Sequence, residues 1–243
     1  MKLLSTNAKL SKSVKGFLIM GLQLAPHNLA GGKTVCPNAS AGCKAACLYT
    51  AGQGVYNRVK TARVNRTRLF LNERDTFMAN LFADIEYYKR RAEKKGLKLA
   101  VRLNTISDIA WEKISYKGQN LMAHFPNVTF YDYTKNFIRA IMSVESEFPS
   151  NYSLTFSRSE TNEQKAKLVL AAGGNVAVVF KGAGGKVTSG GHNKTATLPL
   201  TYLGHSVING DVNDGRFNDP KGVIVGLLAK GKARYDSSGF VVA

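Results

Sequence analysis

All three cysteines of the 243-residue chain fall within residues 36–47, CPNASAGCKAAC. Thiolates are soft ligands, and three of them spaced C-x6-C-x3-C most simply serve one purpose together, with Cys36, Cys43 and Cys47 holding metal. Structural zinc takes four protein ligands from paired blocks such as C-x2-C, and no second block exists here. The four histidines, His27, His124, His192 and His205, are scattered singly. Three thiolates without a fourth partner suit a [4Fe–4S] cluster, in which three irons are protein-bound and the fourth is open to a small-molecule ligand. Pro37, Ala39, Ser40, Ala41 and Gly42 let the backbone wrap closely, with N–H groups toward sulfide, and Lys44 and Arg58 would balance an anionic core. A zinc site completed by His or Asp, and buried structural thiols, are the competing readings.

The elements that must position this loop follow from hydrophobic patterning. FLIMGLQL, residues 17–24, is an apolar run bounded by Gly16 and Pro26, as a buried strand requires, and the cysteines follow it directly. From about Val55 to Lys95 the pattern is helical, with Phe77, Leu81 and Ile85 at i, i+4 and i+8 and Gly96 as a stop. Thereafter strands and helices alternate: LKLAVRL then a short helix from Asp108 to Ile114, VTFYDY then FIRAIMSVE, YSLTF then a helix over 162–172, NVAVVF, and apolar segments at 203–208 and 223–228. Such alternation, with β-branched strands and little polar interruption, predicts an α/β fold of parallel strands with crossover helices: a complete or partial (β/α) TIM-like barrel forming one domain over 1–243.

Several of these strands run into polar residues. Asn104, Ser107 and Asp108 follow one; Thr134, Lys135 and Asn136 the next; then Ser157, Arg158 and Ser159; Lys181 and Gly182; and Asn209, Gly210 and Asp211. In a parallel barrel these positions converge on one face, where sites are built. Asn104, Lys135, Arg158 and Lys181 are therefore the candidate ligand-binding residues, the three cations as anion holders, with Asp108 and Asp211 as candidate proton handlers.

Charge narrows the partners. Lys and Arg number 34 against 16 Asp and Glu, a net charge of +18, and residues 1–100 hold 18 of the basic and 5 of the acidic side chains. Such a field attracts nucleic acid or another polyanion without sequence specificity, unless it is only a solvated surface. No apolar run is long enough to span a bilayer, and the lysine-studded opening lacks a signal-peptide core, so a soluble intracellular protein with no membrane partner is expected. Three apparent motifs fail. KGAGGKVTSGGHNK lacks the Ser or Thr that a phosphate loop needs after Lys186. The aspartates of NGDVNDGRFNDP lack the closing glutamate of a calcium loop and suit turn capping instead. The cations of NRVKTARVNRTR do not all share one helical face.

A three-cysteine loop after the first strand of such a barrel resembles the radical S-adenosylmethionine enzymes, although their usual spacing is C-x3-C-x2-C and RLNTISD stands where their glycine-glycine-glutamate segment would be. That likeness implies S-adenosylmethionine as the ligand of the open iron. CPNASAGCKAACLYTAGQG, RVKTARVNRTR, RLNTISD and FYDYTKN together more closely resemble the bacteriophage gene product eighty-eight family. This second likeness implies a phage-encoded protein in the cytoplasm of the infected bacterial host.

Overall fold

The computed structural model describes residues 1–12, 14–183 and 196–243. The glycine-rich segment after Ala183, with Lys186 and His192, lies outside the described residues. In chain order the elements are β1 (Leu4–Ser5), β2 (Phe17–Leu22), α1 (Ala41–Ala45), α2 (Asn57–Asn72), α3 (Arg74–Glu93), β3 (Lys98–Arg102), β4 (Ser115–Tyr116), β5 (Gln119–Asn120), α4 (Leu121–His124), β6 (Thr129–Thr134), α5 (Phe137–Val144), β7 (Tyr152–Ser157), α6 (Glu163–Ala171), β8 (Val176–Phe180), β9 (Thr201–Tyr202), β10 (His205–Asn209), β11 (Ile224–Leu228) and β12 (Val241–Val242).

The fold is mixed α/β around a largely parallel central sheet of order β1-β2-β3-β6-β7-β8-β11-β10-β9, with β12 added beside β8. Strands β2, β3, β6, β7, β8, β11 and β10 run parallel, while the short β1 and β9 pair antiparallel with β2 and β10. Neighbours follow chain order as far as β8. There β11 inserts between β8 and β10, and no ladder joins β10 to β2 among the described residues. A closed TIM barrel is therefore not what the hydrogen bonds describe.

Alternation along the strands divides the side chains between two faces. Leu22, Leu99, Val101, Leu103 and Phe130 pack with Phe70, Phe77, Met78, Leu81 and Ile85 of α2 and α3. On the other face, Ile19, Ala100 and Tyr131 meet Leu10, Val14 and Phe217, so the segment after β10 folds back over β2, β3 and β6. The helical stretch expected over 55–95 is two helices broken at Glu73. Arg74 stacks on Phe70, 3.7 Å from the ring centre, and its Nε donates to the Phe70 carbonyl, capping the end of α2.

The helix expected from Asp108 to Ile114 is instead a loop with one 3-10 turn at Trp111–Lys113. Asn104 dictates this: its Oδ1 accepts from Ser107 Oγ, Ile109 N and Trp111 Nε1 at 2.8–3.2 Å, drawing the chain around one buried amide. The expected strand over 203–208 begins later, because Leu203 and Gly204 take positive φ in the turn from β9 to β10.

Candidate functional site

The C-terminal ends of β3, β6, β7, β8 and β11, the cysteine loop and one face of α2 enclose a cavity of about 1260 Å³. Cys36, Cys43 and Cys47 all line it, and so do Asn104, Asp108, Lys135 and Asp211. Arg158 and Lys181 do not. Arg158 clamps the C-terminal segment, donating to the Gly239 and Phe240 carbonyls and to Glu163, and the Lys181 backbone N–H donates to Val242.

The cysteine loop is fixed from three sides. Ser40 caps α1, its Oγ accepting from Cys43 N at 3.2 Å. Glu160, beyond the end of β7, accepts from Ser40 Oγ and Gly42 N, each at 2.8 Å, and these bonds hold its carboxyl below its ordinary pKa despite the cost of burial. A Cβ at position 42 would stand 2.9 Å from the Glu160 carboxyl and overlap Ser238 Oγ, so a larger residue there would push both side chains away from the loop. At the front of the loop, Val35 accepts from Asp108 N at 2.9 Å.

The thiols occupy one electrostatic environment. Burial pushes Cys36 up to about 11; His27 N–H, donating to its Sγ at 3.2 Å, pulls the other way, while charge on Cys47 and Cys43 pushes it further. Burial also raises Cys47, opposed by a backbone hydrogen bond at Tyr49 and by the cations Arg63 and Lys135. Arg63 is buried over the Tyr49 ring, its Nη2 donates to Gln23, and its Nε and Nη1 have no hydrogen-bond partner. Lys135 Nζ donates to Ser157 at 2.6 Å and lies 5.3 Å from the Phe240 ring centre. No three His, Cys, Asp or Glu side chains among the described residues are grouped to hold a single metal ion.

The other polar residues divide by what they touch. Asn104 is an internal anchor as well as a lining residue, donating its backbone and amide N–H to the fully buried Asp132, which also accepts from Tyr152 Oη at 2.8 Å. Burial raises Asp132 to about 7 against these bonds. Asp108 accepts from Thr134 Oγ1, Lys135 N and Arg139 Nη1 at 2.8–3.0 Å, and Arg139 also forks onto Glu112 with two 2.8 Å bonds. Asp211 accepts from Lys230 Nζ at 2.6 Å and Leu228 N at 3.0 Å, and its pKa is lowered although burial opposes this. Asp214 and Asp219, expected to cap turns, pair with Arg102 and Lys9 and with Arg216; Asn209 and Asn213 cap the turns. The sequence signal for these networks was present: Arg102, Asp132 and Arg139 are charges embedded in apolar runs, and buried charges need partners.

The cavity lining is strongly cationic. Among the described residues, Lys9, Lys12, Lys44, Arg58, Arg63, Arg66, Arg102, Lys135, Lys230 and Arg234 face it against Asp108 and Asp211. Arg58, Arg63 and Arg66 come from one side of α2, whereas Lys60 and Arg68 point elsewhere.

The Gene product 88 family profile matches residues 1–243. The chain belongs to the Gene product 88 family. Membership extends the likeness of the cysteine, RLNTISD and YTK segments to the whole chain, and so to the elements that enclose the cavity. No curated protein and no solved structure matches it. Among the described residues, no helix of this family member is long and apolar enough to cross a membrane.

Proposed function

We propose that this phage protein holds a [4Fe–4S] cluster through Cys36, Cys43 and Cys47, with one iron open to the cationic cavity and to a small anionic or chelating molecule. The observation that carries the reading is the placing of all three thiols on one cavity, each within electrostatic reach of the others, beside Arg63 and Lys135. Burial is the main reason the Cys36 thiol is raised and charge on the other two thiols adds to it; cations plus cluster iron would relieve both costs. Donors fit the group as well: N–H groups at His27 and Tyr49 reach sulfur, and the unpartnered nitrogens of Arg63 suit a neighbouring anion.

A tetrahedral zinc with bonds of about 2.3 Å needs its thiolates roughly 4 Å apart. A cubane takes each thiolate on a different iron and so tolerates wider spacing than a single ion does. When bound, the cluster supplies a Lewis-acidic iron and one-electron redox chemistry. The chain's own residues exclude water with Ala46, Ala233 and Phe240, hold negative charge with Arg63 and Lys135, and keep the loop in place with Glu160. S-adenosylmethionine as the open iron's ligand, a partial (β/α) barrel as the frame and the host cytoplasm as the compartment belong to the same reading.

Anaerobic purification, iron and sulfide analysis and a visible spectrum test it. A brown protein that bleaches on reduction, and is colourless when all three cysteines are replaced by serine, supports the cluster; colourless wild type lacking iron sinks it. Release of 5′-deoxyadenosine from added S-adenosylmethionine tests the radical branch. A second reading, nucleic-acid binding with a structural metal loop, draws on the cationic mouth and on Tyr56 and Tyr235, 62% and 85% exposed on segments beside it. Salt-sensitive gel retardation by a colourless, zinc-loaded protein would favour that reading.

A further inference from the structure

The cavity has a second charged region on the inner face of the sheet. Lys9, from the loop after β1, Arg102, at the end of β3, and Tyr133, on β6, line it together, with Lys12, Asp211 and Lys230 at one side. Arg102 stacks on the Tyr133 ring at 4.4 Å and donates to both oxygens of Asp214 at 3.1 Å; Lys9 Nζ lies 3.3 Å from the same carboxylate. Asp214 also accepts from Tyr131 Oη, so its acceptor capacity is heavily used.

Two features remain unexplained by these pairings. First, Arg102 Nε and Tyr133 Oη are buried with no hydrogen-bond partner, and both are donors. Second, Lys9, Lys12, Arg102, Arg216 and Lys230 stand around Asp211, Asp214 and Asp219, five positive charges against three negative. The Lys9 side chain keeps 26% of its surface open while sitting deep in the fold, and burial together with the Arg102 and Arg216 charges lowers its pKa in spite of Asp214. A region with surplus positive charge and spare donors is complementary to an oxyanion.

We propose that Lys9, Arg102 and Tyr133 form an oxyanion subsite for a phosphate or carboxylate group of the cavity's ligand, at a different part of the cavity from the thiols. The ligand class is then an anionic metabolite or cofactor extended enough to place its acid group here while its other end lies at the cysteine loop, and a cavity of about 1260 Å³ accommodates a molecule of that size. The assignment shares the cavity with the cluster reading, but the anion contacts need no iron.

Calorimetric titration of the full chain with inorganic phosphate, and separately with acetate, at constant ionic strength tests the subsite. Saturable one-site binding is expected, weakened at least tenfold by Lys9→Met and several-fold by Tyr133→Phe, which retains the ring under Arg102, and unchanged by Lys95→Met, in the turn after α3 and not among the cavity-lining residues. Whichever anion binds identifies the acid group. If neither saturates, or if Lys95→Met weakens binding as much as Lys9→Met does, diffuse charge is responsible and the subsite is refuted. The Cys36→Ser, Cys43→Ser, Cys47→Ser variant separates the two readings. Anion binding that persists there while wild type forms no cluster leaves the subsite standing and removes the cluster; binding lost with the thiols places the anion at the loop and overturns the subsite.

Discussion

Replacing Arg139 by methionine should cost about 3–5 kcal/mol of folding stability. The guanidinium forks onto Glu112 through two 2.8 Å bonds, donates to Asp108 at 2.9 Å and reaches Thr134 and Tyr152. The side chains of Glu112 and Asp108 are only 9% and 10% exposed, so removing the cation leaves two carboxylates buried with little water to replace it. Breaking a buried pair from one side carries the desolvation cost of the partner left behind, which sets the magnitude. For a chain of this length that corresponds to a fall in Tm of about 10 °C. Arg139→Lys, which retains charge but loses the fork, should fall between wild type and Arg139→Met. Urea unfolding followed by circular dichroism and by fluorescence reads both, and Trp111, the only tryptophan, adjoins Glu112 and reports locally. The consequence reaches the thiols, because Asp108 fixes Lys135 N through its carboxylate and Val35, the residue before Cys36, through its own N–H. A loss below about 1 kcal/mol for Arg139→Met would mean that water reaches both carboxylates in the folded chain, and the reasoning would fail.

Three smaller effects follow from the site. Glu160→Ala should cost about 1 kcal/mol at pH 7, since its two loop bonds lie at a solvent-washed position; because the folded pKa is lowered, the deficit should be present above about pH 4.3 and close as pH falls through the folded value, and a gap independent of pH would contradict it. Asp132, raised to about 7 against an unfolded value near 3.9, takes up protons on folding, so its contribution is full below about pH 4, declines by at most about 1.4 kcal/mol per pH unit and is lost by about pH 7. Asp132→Asn should flatten that slope in urea midpoints measured from pH 4 to 8; an unchanged slope would assign it elsewhere. In the metal-free chain, Cys36 at about 11 has roughly a hundredfold less thiolate than a model thiol, offset by its greater nucleophilicity, so iodoacetamide should label it about tenfold more slowly at pH 8, as mass spectrometry of the modified peptide would show.

The parallel strands were legible because each is a short apolar run and several end in polar residues, and the parallel ladders of β2, β3, β6, β7 and β8 follow from sequential neighbours packing side by side. The insertion of β11 between β8 and β10 was not, because a strand's hydrophobic pattern records that it is buried and says nothing about which edge it joins. Strand-end position was a good guide where the chain continues over the cavity, as at Asn104, Asp108, Lys135 and Asp211. It misled at Arg158, whose long side chain finds the carbonyls of Gly239 and Phe240, contacts made by residues more than eighty positions away. Lys9 and Arg63 carried no strand-end signal at all; they reach the cavity from a loop and from one side of α2.

The origin of these cations changes the meaning of the charge. Six of the ten around the cavity, Lys9, Lys12, Lys44, Arg58, Arg63 and Arg66, lie in the first hundred residues, where the sequence is most basic. A surplus needed only for solubility would be spread over solvent-facing positions, each with its own hydration shell. Here much of it surrounds one concavity, and Arg63 and Arg102 carry it partly buried with donors to spare. Burying cations costs desolvation energy that Asp214 and the Tyr133 ring offset for Arg102, and Gln23 and the Tyr49 ring for Arg63; more of that cost would be offset by negative charge entering the cavity. Thiolates with a bound inorganic core would supply it at one end and the acid group of a small molecule at the other, which is why loss of the cysteines and loss of Lys9 should produce separable defects in one and the same cavity.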